Sequence, residues 1–214
     1  MKFLAYLVSG ISLGSIYAII ALGYTMVYGI AKMLNFAHGD VIMVGGYVSF
    51  LAASNLGLPP LVSVLIAMCV CTVLGIVIEA LAYRPLRAAP KLAVLITAIG
   101  VSYLLQNTAL LTFGANPKAY TPVVSGTLQL FDGQLSVSYI SLLTVACCLV
   151  IMVALTLFTS KTRMGKAMRA CSEDKGAAQL MGINVNRTIT FTFAIGAILA
   201  GIGAILYCCK HDEE

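Results

Sequence analysis

Long apolar stretches separated by short polar ones dominate the pattern along the chain. Six apolar segments stand out: Phe3–Ala31, Val41–Ala53, Leu61–Ala82, Leu92–Phe113, Ser138–Thr159 and Thr188–Cys209. Apolar runs of about 18 or more residues are typical of transmembrane helices, because a helix of that length crosses the ~30 Å hydrocarbon core. All but Val41–Ala53 are this long, so the pattern predicts an all-α, polytopic transmembrane helix bundle of about six membrane segments.

The short segment Val41–Ala53 would extend only about 20 Å as a helix. Its length predicts either a tilted, partly re-entrant piece or half of a broken helix. The polar stretch Asn35–Asp40 interrupts the apolar sequence just before it. A helix that starts near Asp40 would have a carboxylate N-cap. Broken helices place free backbone groups beside the substrate in many transporters, but a plain turn capped by Asp40 explains the same residues equally well.

Composition agrees with a membrane location. Of the 214 residues, 60% are hydrophobic and 10% are charged, whereas a soluble domain carries about 25% charged residues. A soluble chain this short has no core large enough to bury so much apolar surface, so lipid is the favoured solvent. The apolar run after Lys2 is too long for the hydrophobic region of a signal peptide and is predicted to be the first span.

The basic loops predict the orientation of the bundle. The loop 83–91 carries three basic residues and no acid, and the loop 160–187 carries six basic residues against two acids. The loop 115–137 carries one of each. The positive-inside rule places the first two loops in the cytoplasm and the third outside. The N-terminus is outside if Val41–Ala53 crosses fully and inside if it is re-entrant. Because the net charge of +5 sits in these loops, it does not indicate a nucleic-acid partner.

Small residues on two spans predict close packing between helices. Residues four apart lie on one side of a helix, and small ones there let two backbones approach each other in lipid. The pattern occurs at Gly10, Gly14 and Ala18, at Gly196 and Ala200, and at Ala197 and Gly201.

The motifs of ATP hydrolysis and of metal binding are missing from the sequence. The nearest match to a GxxxxGK[ST] phosphate loop, Gly165–Ala167, lacks the upstream glycine and the hydroxyl. Zinc-ligand spacings do not occur, and the two histidines are His38 and His211. Glu79 is the only acid inside an apolar run, and its position near the basic loop 83–91 favours an interfacial anchor over a proton relay. We therefore predict no catalytic residue, metal or cofactor, and a bundle that conducts passively or is driven by another subunit.

Two polar features are candidates for function. In the basic loop, small residues precede a glycine within Gly176–Gly182, which predicts a short helix, a turn and a second helix that dock a partner protein. The alternative is a loop that only sets topology and contacts anionic lipid. Gln106 and Asn107 lie within the span Leu92–Phe113, where amides bond across helices or line a polar path, and packing is the favoured interpretation.

Four stretches of the chain resemble the permease subunit of bacterial ABC importers for branched-chain amino acids, the high-affinity Liv-type system. They lie within Gly14–Gly29, Asn35–Asp40, Ile78–Asn107 and Arg163–Asn184. The NFAHG sequence of the second and the RMG…RAC-x-ED…GIN pattern of the fourth are specific to this resemblance.

The resemblance implies both partners and site residues. Such permeases are multi-pass proteins of the bacterial inner membrane and form a pore with a second, related permease subunit. Two ATP-binding-cassette ATPase subunits bind their cytoplasmic loops, and an external binding protein delivers the substrate. Ala177, Ala178 and Gly182 match the EAA-xxx-G motif that docks the ATPase, and Gly176 stands in place of its glutamate. The candidates for the translocation path are Asn35, Phe36, His38, Gly39, Gln106 and Asn107.

The resemblance also implies a longer domain. Members of the family continue with further membrane segments beyond the region that matches Leu199–Gly201, whereas this chain ends at Glu214. We therefore expect a single permease domain over residues 1–214 that lacks the family's C-terminal helices. The alternatives are an amide or urea importer of the same family, since the binding protein selects the substrate, and a passive channel or facilitator.

Overall fold

The computed structural model of the protein describes residues 2–87, 89–116, 127–130 and 135–211. These residues form eight α-helices: α1 Lys2–Ala31, α2 His38–Ser54, α3 Pro60–Ile78, α4 Lys91–Phe113, α5 Tyr139–Lys161, α6 Arg163–Glu173, α7 Lys175–Leu180 and α8 Val185–His211. A π-helical turn, Glu79–Tyr83, continues α3. Two four-residue strands, β1 Thr127–Leu130 and β2 Leu135–Ser138, pair antiparallel with Thr127 opposite Ser138. The predicted all-α, polytopic bundle is confirmed, and the strand pair is a small addition that the sequence did not predict.

Helices of membrane-spanning length coincide with the long apolar segments. Among the described residues, five helical stretches are long and apolar enough to cross a membrane: Tyr6–Ala31, Leu61–Tyr83, Lys91–Phe113, Tyr139–Lys161 and Val185–Lys210. The remaining segment, Val41–Ala53, lies within the 17-residue helix α2, which is about 25 Å long. Lys118 and Asp132, the two charges of the predicted external loop, lie outside the described residues.

The start of α2 corrects one prediction. The helix begins at His38, its N-cap position is Ala37, and no side chain caps it. The prediction of an N-cap at Asp40 is therefore wrong. Asp40 lies in the first turn of the helix, where a carboxylate is favoured by the positive end of the helix dipole, and its Oδ1 accepts a hydrogen bond from Gln106 of α4 at 3.0 Å. The side chain is held by a neighbouring helix instead of by its own backbone.

Helix α8 is the centre of the bundle because its small residues let α1 and α3 approach it closely. A Cβ built on Gly196 would lie 2.8 Å from Cγ2 of Val27 in α1, and one on Gly201 would lie 3.2 Å from Cα of Met68 in α3. A Cβ on Gly75 of α3 would lie 2.6 Å from Cβ of Ala197. The predicted packing at the small-residue faces of α8 is confirmed.

The small-residue face of α1 behaves differently. Gly10, Gly14 and Ala18 are exposed, and a Cβ on either glycine would meet no atom within 4 Å. The prediction that this face packs inside the bundle is wrong for the described chain, because α8 and α5 lie against other sides of α1. Residue size alone indicates that a face can pack closely, but not which helix lies there.

Candidate translocation and coupling sites

The corner between α1 and α2 is a buried polar turn. Lys32 directly follows α1 and is in a left-handed conformation with φ 56°. The residues after it form the turn that leads to His38. Asn35 is buried in this corner, and its Oδ1 accepts a hydrogen bond from the Tyr83 hydroxyl at 3.0 Å. The Tyr83 ring packs at 5.3 Å from the ring of Phe193 in α8. The corner is thereby tied to the π-helical turn and to the central helix.

His38 occupies a notch between α1 and α8. A Cβ on Gly23 would lie 3.2 Å from both Cε1 and Nε2 of His38, and 3.1 Å from the carbonyl oxygen of Gly196. The imidazole lies 6.0 Å from the ring of Tyr24. Its Nε2 is buried, with no hydrogen-bond partner in the part of the chain that the structure describes. A side chain at position 23 would therefore press against both the ring and the Gly196 carbonyl.

Two predicted amides have different surroundings. Gln106 Nε2 donates to Asp40 Oδ1 at 3.0 Å and lies 3.1 Å from Oγ of Ser102. Gln106 therefore bonds across helices, from α4 to α2. Asn107 is exposed and donates to the carbonyl of Tyr103 within its own helix at 2.7 Å, so it makes no bond to another described helix.

Asp40 is a candidate site residue that sequence reasoning missed, since it was interpreted as a cap. The residue is buried, and Oδ2 has no partner among the described residues. A buried carboxylate is costly unless it is paired or hydrogen-bonded, and polar groups at membrane depth mark functional positions. The sequence does show an acid, Asp40, at the edge of an apolar segment. The burial of Asp40, however, depends on α4, which is distant along the chain.

One face of α2 borders an apolar cavity of about 410 Å³. Its lining residues are Gly39, Ile42, Met43, Gly46, Tyr47 and Phe50 of α2 with Ala204, Tyr207 and Cys208 of α8. The opposite face of α2, which includes His38 and Val41, is buried in the bundle. Of the predicted path residues, Gly39 alone lines this cavity. Phe36, three residues earlier, is half-exposed and is not part of the lining. The cavity suits an apolar side chain of moderate size.

Sequence reasoning also missed most of this lining. The α2 lining positions recur at helical spacing on one side of α2, and a helix with this register presents them together. The signal could have been found by placing Val41–Ala53 on a helix and comparing its faces. Tyr47 forms one boundary, because its ring stacks at 4.3 Å on Phe113 of α4.

The basic loop folds into the compact element α6–α7. Oδ1 of Asp174 accepts hydrogen bonds from the backbone N–H groups of Gly176 at 2.7 Å and Ala177 at 3.2 Å, which is an N-cap of α7. The backbone N–H of Ile183 donates to Ala178 O at 3.0 Å, and Gly182 adopts φ 80°. Glycine is favoured there because a left-handed residue ends the helix. The predicted helix and turn are confirmed.

The element α6–α7 has an inner and an outer side. Ala178 is buried against Ile30, Met168 and Cys171. The side chains of Leu180 and Met181, at the far end of α7, are 90% and 82% exposed. Two adjacent apolar side chains are thus exposed at this end of α7. Gly176 and Ala177 are exposed on the capped end.

Buried Glu79 and partly buried Arg87 form an ion pair where α3 ends. Arg87 donates to Oε1 of Glu79 and also to Oδ1 of Asn186 in α8. The hydroxyl of Thr190 donates to Oε2 of Glu79 at 2.7 Å. Both carboxylate oxygens are thus satisfied although Glu79 is buried. This arrangement agrees with the interpretation of Glu79 as an anchor between the loop 83–91 and the bundle.

A polytopic bundle with a buried polar corner, an apolar cavity and a short capped helix beside its basic loops fits the membrane-spanning subunit of a transporter. The sequence profile of one family, described as the permease component of the branched-chain amino acid transport system, matches residues 6–212. The chain belongs to this family. Its spans and its family make it a multi-pass protein of the plasma membrane.

Individual relatives agree with the family. The high-affinity branched-chain amino acid transport system permease protein BraD of Pseudomonas aeruginosa is 42% identical over 215 residues, which cover 95% of this chain and 70% of BraD. The permease protein LivH of the corresponding system of Escherichia coli K12 is 40% identical over 217 residues, which cover 96% of this chain and 70% of LivH. No solved structure matches the chain.

Proposed function

We propose that the chain is the membrane-spanning permease subunit of an ATP-driven importer that moves branched-chain amino acids across the inner membrane. The observation that carries this proposal is the capped element α6–α7, which belongs to a chain of the permease family and projects Leu180 and Met181 outward. The sequence contains no phosphate loop, so the energy for uphill transport has to enter through a partner.

Docking of an ATPase subunit on α7 accounts for the division of the element into two sides. Ala178 fixes α7 to the bundle, and Leu180 and Met181 are left for the partner. Exposed apolar side chains at the centre of an interface contribute most of its binding energy when they enter a pocket. Gly176, which stands where the coupling motif has glutamate, leaves this contact to the apolar end of α7. A second permease subunit and an external binding protein complete the proposed importer.

The proposed substrate path follows the open face of α2. Its cavity is lined by apolar side chains and by Gly39 and Gly46, which suits the hydrophobic side chain of leucine, isoleucine or valine. The buried corner with Asn35 and Asp40 lies at the start of the same helix and supplies polar groups for the substrate's charged ends. A passive channel would share the cavity, but it would have no use for a capped docking element.

Transport by the reconstituted importer tests the proposal. Vesicles that contain this chain with its ATPase subunits, second permease and binding protein are expected to accumulate labelled leucine only when ATP is supplied on the ATPase side. Leucine uptake by this chain alone would show a facilitator instead, and ATP-dependent uptake of urea or an amide without uptake of leucine would show the other importer type of the family.

The docking contact is tested by charge at the end of α7. The variants Leu180→Asp and Met181→Asp are expected to lose co-purification with the ATPase subunits and ATP-dependent uptake, while the bundle stays folded. The control is Gln179→Asp, which adds the same charge at the exposed neighbouring position. Retained co-purification in both test variants would contradict docking through this part of α7.

A further inference from the structure

A second cavity, of about 470 Å³, lies beside the basic loops, on the side of the bundle predicted to face the cytoplasm. Four cationic side chains from four separate segments line it: Lys32 after α1, Arg87 from the loop between α3 and α4, Lys91 at the start of α4 and Lys175 at the start of α7. The lining residues that the structure describes include no acid.

The charges of this basic cavity are largely uncompensated within the described chain. Arg87 is paired with Glu79, and this is the one ion pair among the described residues. Nζ of Lys175 donates to the carbonyl of Ala31 at 2.6 Å, which is a neutral partner. Lys32, Lys91 and Lys175 thus bring three positive charges to one cavity without a facing carboxylate.

Two further observations agree with an anionic occupant. Burial lowers the pKa of Lys175, and the positive charges of Arg87 and Lys32 lower it further, while the Cys171 thiol acts in the opposite direction. Lys91 is the first residue of α4, at the end of the helix where the dipole disfavours a cation and favours an anion. The repulsion among these groups would be relieved by a negative charge between them.

The rest of the basic cavity is apolar. Its walls include Met33, Leu34, Val94 and Leu95. A free phosphate ion would use only the lysines, whereas a phospholipid would place its phosphate on the lysines and the start of its acyl chains on the apolar walls. Basic pockets between spans at the cytoplasmic level of a membrane protein bind lipid headgroups in this manner.

We propose that the basic cavity binds an anionic phospholipid of the cytoplasmic leaflet, with its phosphate held by Lys32, Lys91 and Lys175 and its acyl chains against Val94 and Leu95. Because Lys175 is the first residue of α7 and already reaches the end of α1, the bound lipid also fastens the α6–α7 element to the bundle. This proposal concerns the lipid requirement of the chain and does not depend on which substrate it transports.

Binding of short-chain lipids to the purified full chain in neutral detergent tests the proposal. The protein is titrated with dioctanoyl phosphatidylglycerol, with dioctanoyl phosphatidylcholine and with inorganic phosphate, and complexes are measured by native mass spectrometry. Phosphatidylglycerol is expected to bind saturably and more tightly than the other two. Equal binding of phosphatidylcholine, or displacement of phosphatidylglycerol by inorganic phosphate at equal concentration, would overturn the assignment.

Variants locate the binding to this cavity. The triple variant Lys32→Gln, Lys91→Gln and Lys175→Gln is expected to weaken phosphatidylglycerol binding on the order of a hundredfold, since each basic residue near an anionic lipid surface contributes about fivefold. The control removes the same number of exposed basic residues from α5 and α6, with Lys161→Gln, Arg163→Gln and Lys166→Gln, and is expected to bind as the unchanged protein does.

A single variant separates weaker lipid binding from loss of the fold. Lys91 is exposed, and its side chain makes no hydrogen bond to another described residue, so Lys91→Gln removes none. Its thermal unfolding in phosphatidylcholine is expected to match that of the unchanged protein, with about fivefold weaker phosphatidylglycerol binding. Undiminished binding in both the single and the triple variant would rule the cavity out.

Discussion

Gly23 and His38 fit together across the gap between α1 and α2. A Cβ on Gly23 would lie 3.2 Å from Nε2 of His38, so the absence of a side chain at one residue provides the space for the ring of the other. The same Cβ would lie 3.1 Å from the carbonyl of Gly196. Three elements of the bundle therefore meet at one glycine.

Replacement of Gly23 by alanine is expected to destabilise the bundle by about 1–3 kcal/mol, because the added methyl group overpacks a contact between helices. Thermal unfolding in detergent measures the change. The control is Gly29→Ala in the same helix, where a Cβ meets no atom within 4 Å and alanine is the better helix former. Equal destabilisation by both substitutions would contradict the His38 contact as the cause, because a Cβ on Gly29 meets no neighbouring atom.

Loss of one partner of the Glu79–Arg87 pair is expected to be more harmful than loss of both. Glu79→Leu alone leaves the Arg87 guanidinium without its counter-ion, and removal of one partner of a buried pair costs about 3–5 kcal/mol. The double variant Glu79→Leu with Arg87→Met removes both charges and is expected to unfold closer to the unchanged protein. Chemical denaturation in mixed micelles compares the three proteins. If the double variant is less stable than Glu79→Leu alone, the unpaired Arg87 charge is not the cause of the destabilisation.

The hydroxyl of Tyr83 is expected to stabilise the corner between α1 and α2. Tyr83→Phe keeps the ring against Phe193 but removes the 3.0 Å bond to Asn35, and a hydrogen bond of this kind contributes about 1 kcal/mol. The loss is measured as a shift of the unfolding midpoint. Tyr103→Phe on the exposed side of α4 is the matched control and is expected to leave the midpoint unchanged.

Loss of the α7 cap is expected to weaken coupling more than folding. Asp174→Ala removes the acceptor of the Gly176 and Ala177 N–H groups, at a cost of about 1 kcal/mol. ATP-dependent uptake is expected to fall several-fold in the reconstituted importer, with little change in global unfolding. The neighbouring acid provides the control, since Glu173→Ala removes the same charge but no cap, and an equal loss of uptake there would attribute the effect to charge.

Obstruction of the apolar cavity is expected to block transport in a folded protein. Gly39 lines the cavity, and a Cβ built on it meets no atom within 4 Å, so Gly39→Leu is expected to occupy cavity space. Leucine uptake is expected to drop to background, with unchanged expression and unfolding. Gly100→Leu is the control on α4, where a Cβ also meets no atom within 4 Å, and unaffected uptake in Gly39→Leu would place the path elsewhere.

The spans were predictable because they depend on one property, apolar length, which the sequence displays directly. The start of α2 was not, because His38 and Asp40 are polar and only their neighbours in space, Gly23 and Gln106, make them buried. The same limit applies to Gly10 and Gly14, whose size permits close packing without naming a partner. The strand pair Thr127–Leu130 with Leu135–Ser138 shows alternating apolar and polar positions, a signal that was available within the loop 115–137.

The candidate sites divide in a similar way. The short helix and the turn within Gly176–Gly182 were predictable, since their signals are local. The structure adds Asp174 as the cap and Gly182 as the left-handed end. The basic cavity was not foreseeable, because Lys32, Arg87 and Lys175 come together only through the fold. Local chemistry is visible in a sequence, and convergence of distant residues is not.

The anchoring of α7 to α1 has a mechanical consequence. The Lys175–Ala31 bond and the packing of Ala178 against Ile30 fix the docking helix at two points to the last turn of α1. The next residues along the chain lead into the corner where Asn35 is tied to Tyr83. In the proposed importer, a displacement of α7 would therefore be passed through the last turn of α1 to the start of α2.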